Sequence, residues 1–498
     1  MGLPQSIPLE QALPDEALPD DIAPERALIE LLECKSEDVL RLRSDLGLHP
    51  LAAQVLARRG LGEPEAVRAF LAAEELHAPE LLPGASAVAD SIASHIARGS
   101  RIAVHGDYDV DGVCSTAIFV RTLTKLGADV TWHVPSRFED GYGLSRAAID
   151  RLGRDGVDLM IAVDCGVTAV NETAYAKAQG MDVVICDHHK SDDTLPDALI
   201  AHPALGDYPF PDLCAAAVAY KVCQLVAERT GGDAAALQDD LELVGLATVC
   251  DVMPLSGENR TLVRRGIAAM RQTMRPGLRE LMRSSAVDQL KVDAGAFGFR
   301  LGPRINAAGR MFSAEPAVEL LLTTSEQRAA ELAAQLGSAN SRRQEIEQTI
   351  LFQAETQARR QRDEFAIVVA GDDWHGGVLG IVAGRIAERF RRPCIALGIE
   401  GGVAKGSGRS GGVYDLHSGL TACSSHLTRF GGHKAAAGVE LEETAINAFR
   451  VALQAHAREH LTADDLRPRV RVDAVADPSQ LSLEAVEALE QLGPFGMG

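Results

Sequence analysis

The segment HGDYDVDGVCST, residues 105–116, sets Asp107, Asp109 and Asp111 at alternate positions between His105 and Gly112. Carboxylates this close oppose one another's ionisation, so the spacing asks for a cation among them. Further acids and imidazoles stand at comparable places. Asp164 ends the apolar run 159–163, and Asp187, His188 and His189 end the run 183–186. Asp251 lies between Cys250 and Val252, where Pro254 stops an apolar helical stretch. One aspartate after a strand is ordinarily a turn or cap residue. The set is different, because Gly112 and Gly166 permit close turns and an unpaired buried carboxylate is costly. Carboxylates mixed with imidazoles, without a thiolate cluster, favour Mn2+ or Mg2+ over structural zinc. Two such ions sharing a bridging carboxylate polarise a phosphoryl oxygen and lower the pKa of a bridging water, which is phosphoester chemistry.

Such residues need a frame that gathers them. RIAVHGD (101–107), DVTWHVP (129–135), DLMIAVDCG (158–166) and MDVVICDHH (181–189) contain short apolar runs. STAIFVRTLTKLG and TAVNETAYAKAQG, of helical length, stand between strands. Strand–helix–strand alternation implies a parallel α/β sheet. In such sheets ligands bind beyond the carboxyl ends of the strands, so three strands would deliver their acids and imidazoles to one rim.

The rest of the chain divides by composition. Residues 1–40 are acidic and proline-punctuated, holding ten Asp/Glu against two Lys/Arg, and are expected to form a lead-in. Residues 41–100 show helical apolar spacing, and 41–313 are assigned to the catalytic domain, with a helical insertion at 214–290. Residues 314–363 are expected to form one or two long connecting helices, and 364–462 a second, smaller α/β domain. RPRVRVDAV opens a further unit at 463–498, which stops too soon to close and is expected to be truncated. A chain of 498 residues needs two to four such cores. No apolar run is long enough to span a bilayer, and nine cysteines without paired spacing fit a reducing cytoplasm. The net charge of −21 argues by itself against a nucleic-acid partner. Acid concentrated in the lead-in and around metal ions weakens that objection.

The ordered motifs DYDVDG, VDCG, DHH and CDVMPL resemble those of the DHH phosphoesterase superfamily. SRFEDGYGL, GPRINAAGRM, WHGGVLGIVAGRI, GSGRS and GGHKAAAG are similar to its RecJ single-strand-specific exonuclease branch. The resemblance runs from about residue 100 to the end. It implies a parallel-sheet DHH domain joined by a long helix to a smaller DHHA1-type domain, followed by the start of an OB-like domain. It implies that His105, Asp109 and Asp164 hold one ion, and that Asp111, Asp164, His188 and Asp251 hold a second. His189 would face the scissile phosphate, and Asp107 and Asp187 would orient ligands. The implied activity is two-metal 5′-to-3′ hydrolysis of single-stranded DNA to mononucleotides in repair and recombination. The alternative is an oligonucleotidase or small-phosphate hydrolase of the same superfamily. Single-strand-binding protein and a helicase are the expected protein partners of a monomeric enzyme.

Candidate phosphate contacts lie elsewhere. GPRINAAGRM places Arg304, Asn306 and Arg310 in a segment expected to be held open by glycine and proline, and guanidinium forks suit phosphate. Arg137, near Phe138 and Tyr142, is a similar candidate. KGSGRSGG is expected to form an anion-binding nest of backbone amides, with Ser407 and Arg409 adding side-chain contacts. His433 and Lys434 sit on a second glycine turn. The resemblance implies that this domain captures the 5′ end.

Overall fold

The structure is a computed structural model that describes residues 27–136, 143–233, 237–238 and 240–498. The expected contacts Arg137, Phe138 and Tyr142 lie outside the described residues. Two compact units emerge. Lys35–Thr349 with Ala476–Gly498 forms one, and Ile350–Val475 with the described residues up to Cys34 forms the other.

A short strand, β1 (Leu28–Leu31), comes first and belongs to the second unit. The larger unit begins with α1 (Ser36–Leu46), α2 (Pro50–Arg58), α3 (Pro64–Ala72) and α4 (Ala85–Ala97). The alternating region follows: β2 (Arg101–His105), α5 (Val110–Lys125), β3 (Asp129–His133), α6 (Arg146–Arg154), β4 (Leu159–Val163), α7 (Val170–Ala178), β5 (Asp182–Cys186) and β6 (Leu199–Ala201). These strands form one parallel sheet in the order β3-β2-β4-β5-β6. Side-chain alternation divides its two cores. Ile102, Val104, Leu159, Ile161 and Val184 face the core that includes α4, α5 and α8 (Ala215–Arg229). Ala103, Met160, Ala162, Val183 and Ile185 face α6 and α7.

The helical insertion consists of α8, α9 (Leu241–Cys250), α10 (Gly257–Gln272) and α11 (Pro276–Ser284). A one-turn α12 (Ala294–Ala296) then runs through a π-helical stretch, Phe297–Leu301, into α13 (Gly302–Met311). GPRINAAGRM is therefore a helix, not an open segment. Its proline falls in the first turn of α13, directly after the π-helical stretch. The expected connector comprises two helices, α14 (Glu315–Leu322) and α15 (Glu326–Arg359), and α15 contributes residues to both units.

The second unit contains β7 (Ile367–Asp372), α16 (Gly376–Phe390), β8 (Cys394–Glu400), β9 (Val403–Arg409), α17 (Leu416–Ala422), β10 (Arg429–Gly432), β11 (Ala436–Glu442), α18 (Ile446–His460) and β12 (Arg469–Val472). Its main sheet has the order β10-β11-β9-β8-β7. The glycine-rich KGSGRSGG forms strand β9 for most of its length, paired on one side with β8 and on the other with β11. The expected amide nest is thus corrected: those strand amides serve the ladder and leave no concave array for an anion. RPRVRVDAV does supply a strand, β12, which pairs in parallel with β1. Beyond it, α19 (Leu483–Glu490) and Leu492 join the larger unit, where Leu492 is buried among Leu42, Leu56 and Val67. Among the described residues no helix is long and apolar enough to cross a membrane.

Candidate metal centre

Because β2, β4 and β5 are parallel neighbours, their carboxyl ends open on one edge. His105 ends β2, Asp164 follows β4, and Asp187–His189 follow β5. Asp109 is the N-cap of α5, its Oδ1 accepting from the amides of Asp111 at 3.0 Å and Gly112 at 3.1 Å. Asp111 therefore enters the first turn of α5, which starts five residues earlier than the helical run in the sequence suggests. A Cβ on Gly112 would come within 2.5–2.6 Å of the backbone of Asp107, so glycine lets the aspartate loop lie on the helix. Asp164 adopts φ +60 and Val252, beside Asp251, φ +57. These are strained conformations of the kind that concentrate at functional sites.

Three acid and imidazole groups have ligand atoms within 4.8 Å of one another: Asp107 with Asp109 and Asp164, Asp111 with His188 and Asp251, and Asp164 with His188 and His189. Asp164 and His188 connect the other members into one cluster. His188 Nε2 lies 3.3 Å from Asp164 Oδ1 and 3.6 Å from Asp111 Oδ2 and Asp251 Oδ2, and has no hydrogen-bond partner. A buried imidazole nitrogen facing three carboxylates, without a hydrogen bond, is what a cation-binding pocket presents. The residues present therefore fit a divalent metal. His105 stands apart from these three groups. It is buried at the end of β2, with Nε2 3.3 Å from the Gly143 carbonyl. Asp107 takes the place beside Asp109 and Asp164 that the motif resemblance gives to His105.

The electrostatics agree with this geometry. Burial, and next the charge of Asp109, push the Asp111 carboxyl up to about 7, although two backbone amides oppose the shift. Burial and the charges of Asp111 and Asp109 raise Asp251 to about 8. Burial and four neighbouring aspartates hold Asp164 well above the carboxylate range. Divalent metal ions held among these acids would favour their ionised forms. Burial, with the charge of His189, lowers His188 to about 4, so its imidazole is neutral near pH 7.

Asp187 has another task. Its Oδ2 accepts from Val167 N at 3.0 Å, while Oδ1 accepts from the amides of His188 at 2.8 Å and His189 at 3.1 Å. His189 Nδ1 is also 2.8 Å from Oδ1. Burial works against the charge on Asp187, but these hydrogen bonds and the charge of His189 outweigh it and hold the group ionised. Burial likewise opposes protonation of His189, yet the Asp187 carboxylate raises it to about 9. The side chain is 41% exposed. His189 is therefore an accessible imidazolium held at the rim of the cluster.

Several supports were not evident in the sequence. The amides of Ala215 and Ala216, opening α8, donate to Asp111 Oδ2 at 2.7 Å and Oδ1 at 2.8 Å. This places a helix N-terminus against a carboxylate. His202 Nε2 lies 2.8 Å from the His189 carbonyl, and His202 Nδ1 accepts from Ala204 N at 3.0 Å. Buried His202, in AHPALG, had no spacing signal that linked it to the site.

The expected phosphate contacts separate. Helical spacing puts Asn306 and Arg310 on one face of α13 and Arg304 about 200° from Asn306. Asn306 Oδ1 accepts from Val110 N at 3.1 Å, tying α13 to the aspartate loop. Arg304 donates to the carbonyls of Arg300 at 2.6 Å and Ser284 at 3.4 Å. In the second unit, Ser407, Gly438 and Gly431 are aligned across β9, β11 and β10. A Cβ on Gly431 would meet nothing within 4 Å, and one on Gly438 only a carbonyl at 3.9 Å. This is an open strip of sheet backbone. Arg409 donates to the Gly408 carbonyl at 2.8 Å, and its guanidinium fits where a Cβ on Gly380 of α16 would stand. His433 is exposed in the β10–β11 turn, and Lys434 lies 3.6 Å from Asp415.

The DHH family, N-terminal domain, matches residues 101–248, and the DHHA1 domain matches residues 363–459. The single-stranded-DNA-specific exonuclease RecJ of Bacillus subtilis is 37% identical over 470 residues, covering 93% of this chain and 59% of that protein. The protein of the same name from Escherichia coli is 35% identical over 477 residues, covering 90% of this chain and 82% of its own. The chain thus spans 59% of one curated relative and 82% of the other. The crystal structure of RecJ from Thermus thermophilus in complex with Mn2+ superposes with a TM-score of 0.83 at 31% identity, covering 95% of this chain and 68% of that one. The corresponding Mg2+ complex gives 0.76 at 30% identity, covering 95% and 67%. With both domains in order and likeness over nine-tenths of its length, this chain belongs to the RecJ family of single-stranded-DNA-specific exonucleases.

Proposed function

We propose that the chain hydrolyses phosphodiester bonds of single-stranded DNA from the 5′ end, releasing mononucleotides, with two Mn2+ or Mg2+ ions. The observation that carries this reading is the acid cluster joined through Asp164 and His188 at the end of three parallel strands. Asp107, Asp109 and Asp164 would hold one ion, and Asp111, His188 and Asp251 the other, with Asp164 bridging. His105, whose Nε2 meets the Gly143 carbonyl, would join the first set through Nδ1. When bound, such a pair polarises a phosphoryl oxygen and supplies an acidified water as nucleophile.

The chain's own groups do the remaining work. Asp187 orients His189 and keeps its proton, so that His189 stabilises charge on the phosphate or donates to the leaving oxygen. Asn306 holds the aspartate loop in place. Ser407, Arg409 and His433 are assigned to the 5′-terminal phosphate, and the open strip beside Ser407 admits a backbone without side-chain obstruction. Arg310 and Arg137 are assigned to phosphates nearer the cut. Arg304, which donates to the carbonyls of Arg300 and Ser284, is assigned to holding α13 against the end of α11 instead.

The work belongs to DNA repair and recombination. A single-strand-binding protein and a helicase would supply strands to a monomeric enzyme in the cytoplasm, where the nine unbridged cysteines suit reducing conditions. The test is a 30-nucleotide single strand labelled at either end and incubated with Mn2+. A 5′ label should appear at once as mononucleotide, while a 3′ label should pass through progressively shorter fragments. Cleavage confined to short oligonucleotides or small phosphoesters would transfer the chain to the alternative activity.

A further inference from the structure

The larger unit contains a second polar site away from the metal cluster. A cavity of about 1190 Å³ lies among α5, α8, α9 and α10 and the start of α11. That is ample for a small ligand, given typical pockets of roughly 300–1,000 Å³. It adjoins the far ends of helices that serve the metal centre. Arg121 is twelve residues beyond Asp109 along α5, and Glu242 nine before Asp251 along α9. At 1.5 Å per residue the separation is about 14–18 Å.

The wall is built from charged groups. Arg121 Nε lies 3.1 Å from Asp240 Oδ1, Arg275 also pairs with Asp240, and Arg275 Nε lies 2.7 Å from Glu242 Oε1. Lys221 pairs with Glu258 at 2.7 Å. Arg265 lines the same cavity and is exposed. Four cations, Arg121, Lys221, Arg265 and Arg275, thus line the cavity with one carboxylate, Glu242. The fully buried Asp240 and Glu258 pair with them from outside the lining, and Arg275 Nη1 lacks a hydrogen-bond partner. Gln224 and Gln272 offer amides, while Leu262 and Met274 add apolar surface. Guanidinium groups beside amides and an apolar floor suit a phosphate attached to a flat, hydrogen-bonding ring.

We propose that this cavity binds a nucleoside monophosphate, the product class of the proposed exonuclease reaction, with Arg265 and Arg275 on the phosphate. The identity of the ligand rests on that functional reading; the cationic cavity does not. The intact chain is titrated calorimetrically in EDTA with dTMP, inorganic phosphate and thymidine. The expected order is dTMP tightest, phosphate weaker and thymidine without binding. Arg265→Glu should weaken dTMP at least tenfold while leaving Mn2+-dependent cleavage of a labelled strand unchanged. Absence of dTMP binding at millimolar concentration overturns the proposal, as does binding that Arg265→Glu leaves intact. Displacement of dTMP by a single-stranded oligonucleotide would place it at the metal centre and also overturn the proposal. Equal affinity for phosphate and dTMP would assign the cavity to free phosphate and reject a nucleotide. Cleavage is measured separately, so failure of this inference with the exonuclease intact is distinguishable from failure of both.

Discussion

Replacing Asp187 by Asn tests whether the imidazolium at the rim is the working partner of the metal cluster. The aspartate accepts three backbone amides and the His189 ring through two oxygens. Asparagine retains one side-chain oxygen. If that oxygen serves His188 and His189, the amide must face Val167 N, donor against donor. Such a mismatch costs about 1–3 kcal/mol in a buried position. The charge that raises His189 to about 9 is also lost, so a larger fraction of the imidazole becomes neutral at pH 8. General-acid or charge-stabilising groups typically contribute roughly 100- to 10,000-fold, so kcat should fall at least 100-fold. KM should change little, because Asp187 lies outside the acid groups assigned to metal. Steady-state hydrolysis of an end-labelled strand at saturating Mn2+, with a melting curve to confirm folding, gives the answer. A folded D187N variant with kcat within threefold of the parent would refute the Asp187–His189 assignment.

Other consequences are as direct. Gly112→Ala should lower stability by about 1–2 kcal/mol, since strain against the Asp107 backbone exceeds the gain in helix propensity; an unchanged melting temperature contradicts the close approach. Arg304→Ala should reduce stability by about 1 kcal/mol and leave the salt dependence of DNA binding unchanged, because its donors meet carbonyls. A shallower salt slope without destabilisation would show that Arg304 contacts phosphate instead. In the metal-free protein, Asp111 at about 7 and Asp251 at about 8 lie above their unfolded values. The folded state then binds more protons, and stability falls as pH rises from about 4 to 8. Mn2+ replaces those protons, so the rise in melting temperature on adding Mn2+ should grow between pH 6 and 8.5. A constant increment would contradict the coupling.

The parts of the fold that were legible are those where side-chain pattern and burial coincide. The runs before His105, Asp164 and Asp187 are continuous apolar stretches, as strands buried on both faces should be, and each becomes a strand in the parallel sheet. Their terminal acids then converge because parallel strands end on the same edge. Glycine concealed the other elements. KGSGRS and the strands around Gly431 and Gly438 contain too few large side chains for period-two alternation to show, yet their backbones form a complete ladder. GPRINAAGRM was misleading for the opposite reason: proline in a first turn and small residues at close contacts fit a helix. A Cβ on Gly309 would come within 2.7 Å of the Tyr108 carbonyl, so this helix is packed, not open. Donation from Ala215 and Ala216 to Asp111 joins positions more than a hundred residues apart through backbone groups that every residue carries. No side-chain pattern can announce such a contact.

Two divalent ions are expected to share Asp164. Crystals grown with Mn2+ and a 5′-phosphorylated single strand, measured at the manganese absorption edge, test it most directly. Two anomalous peaks should lie on either side of the Asp164 carboxylate, one against Asp109 and the other against Asp111, His188 and Asp251. A single peak remote from Asp164, or density that leaves this carboxylate bound only to water, would contradict a shared carboxylate.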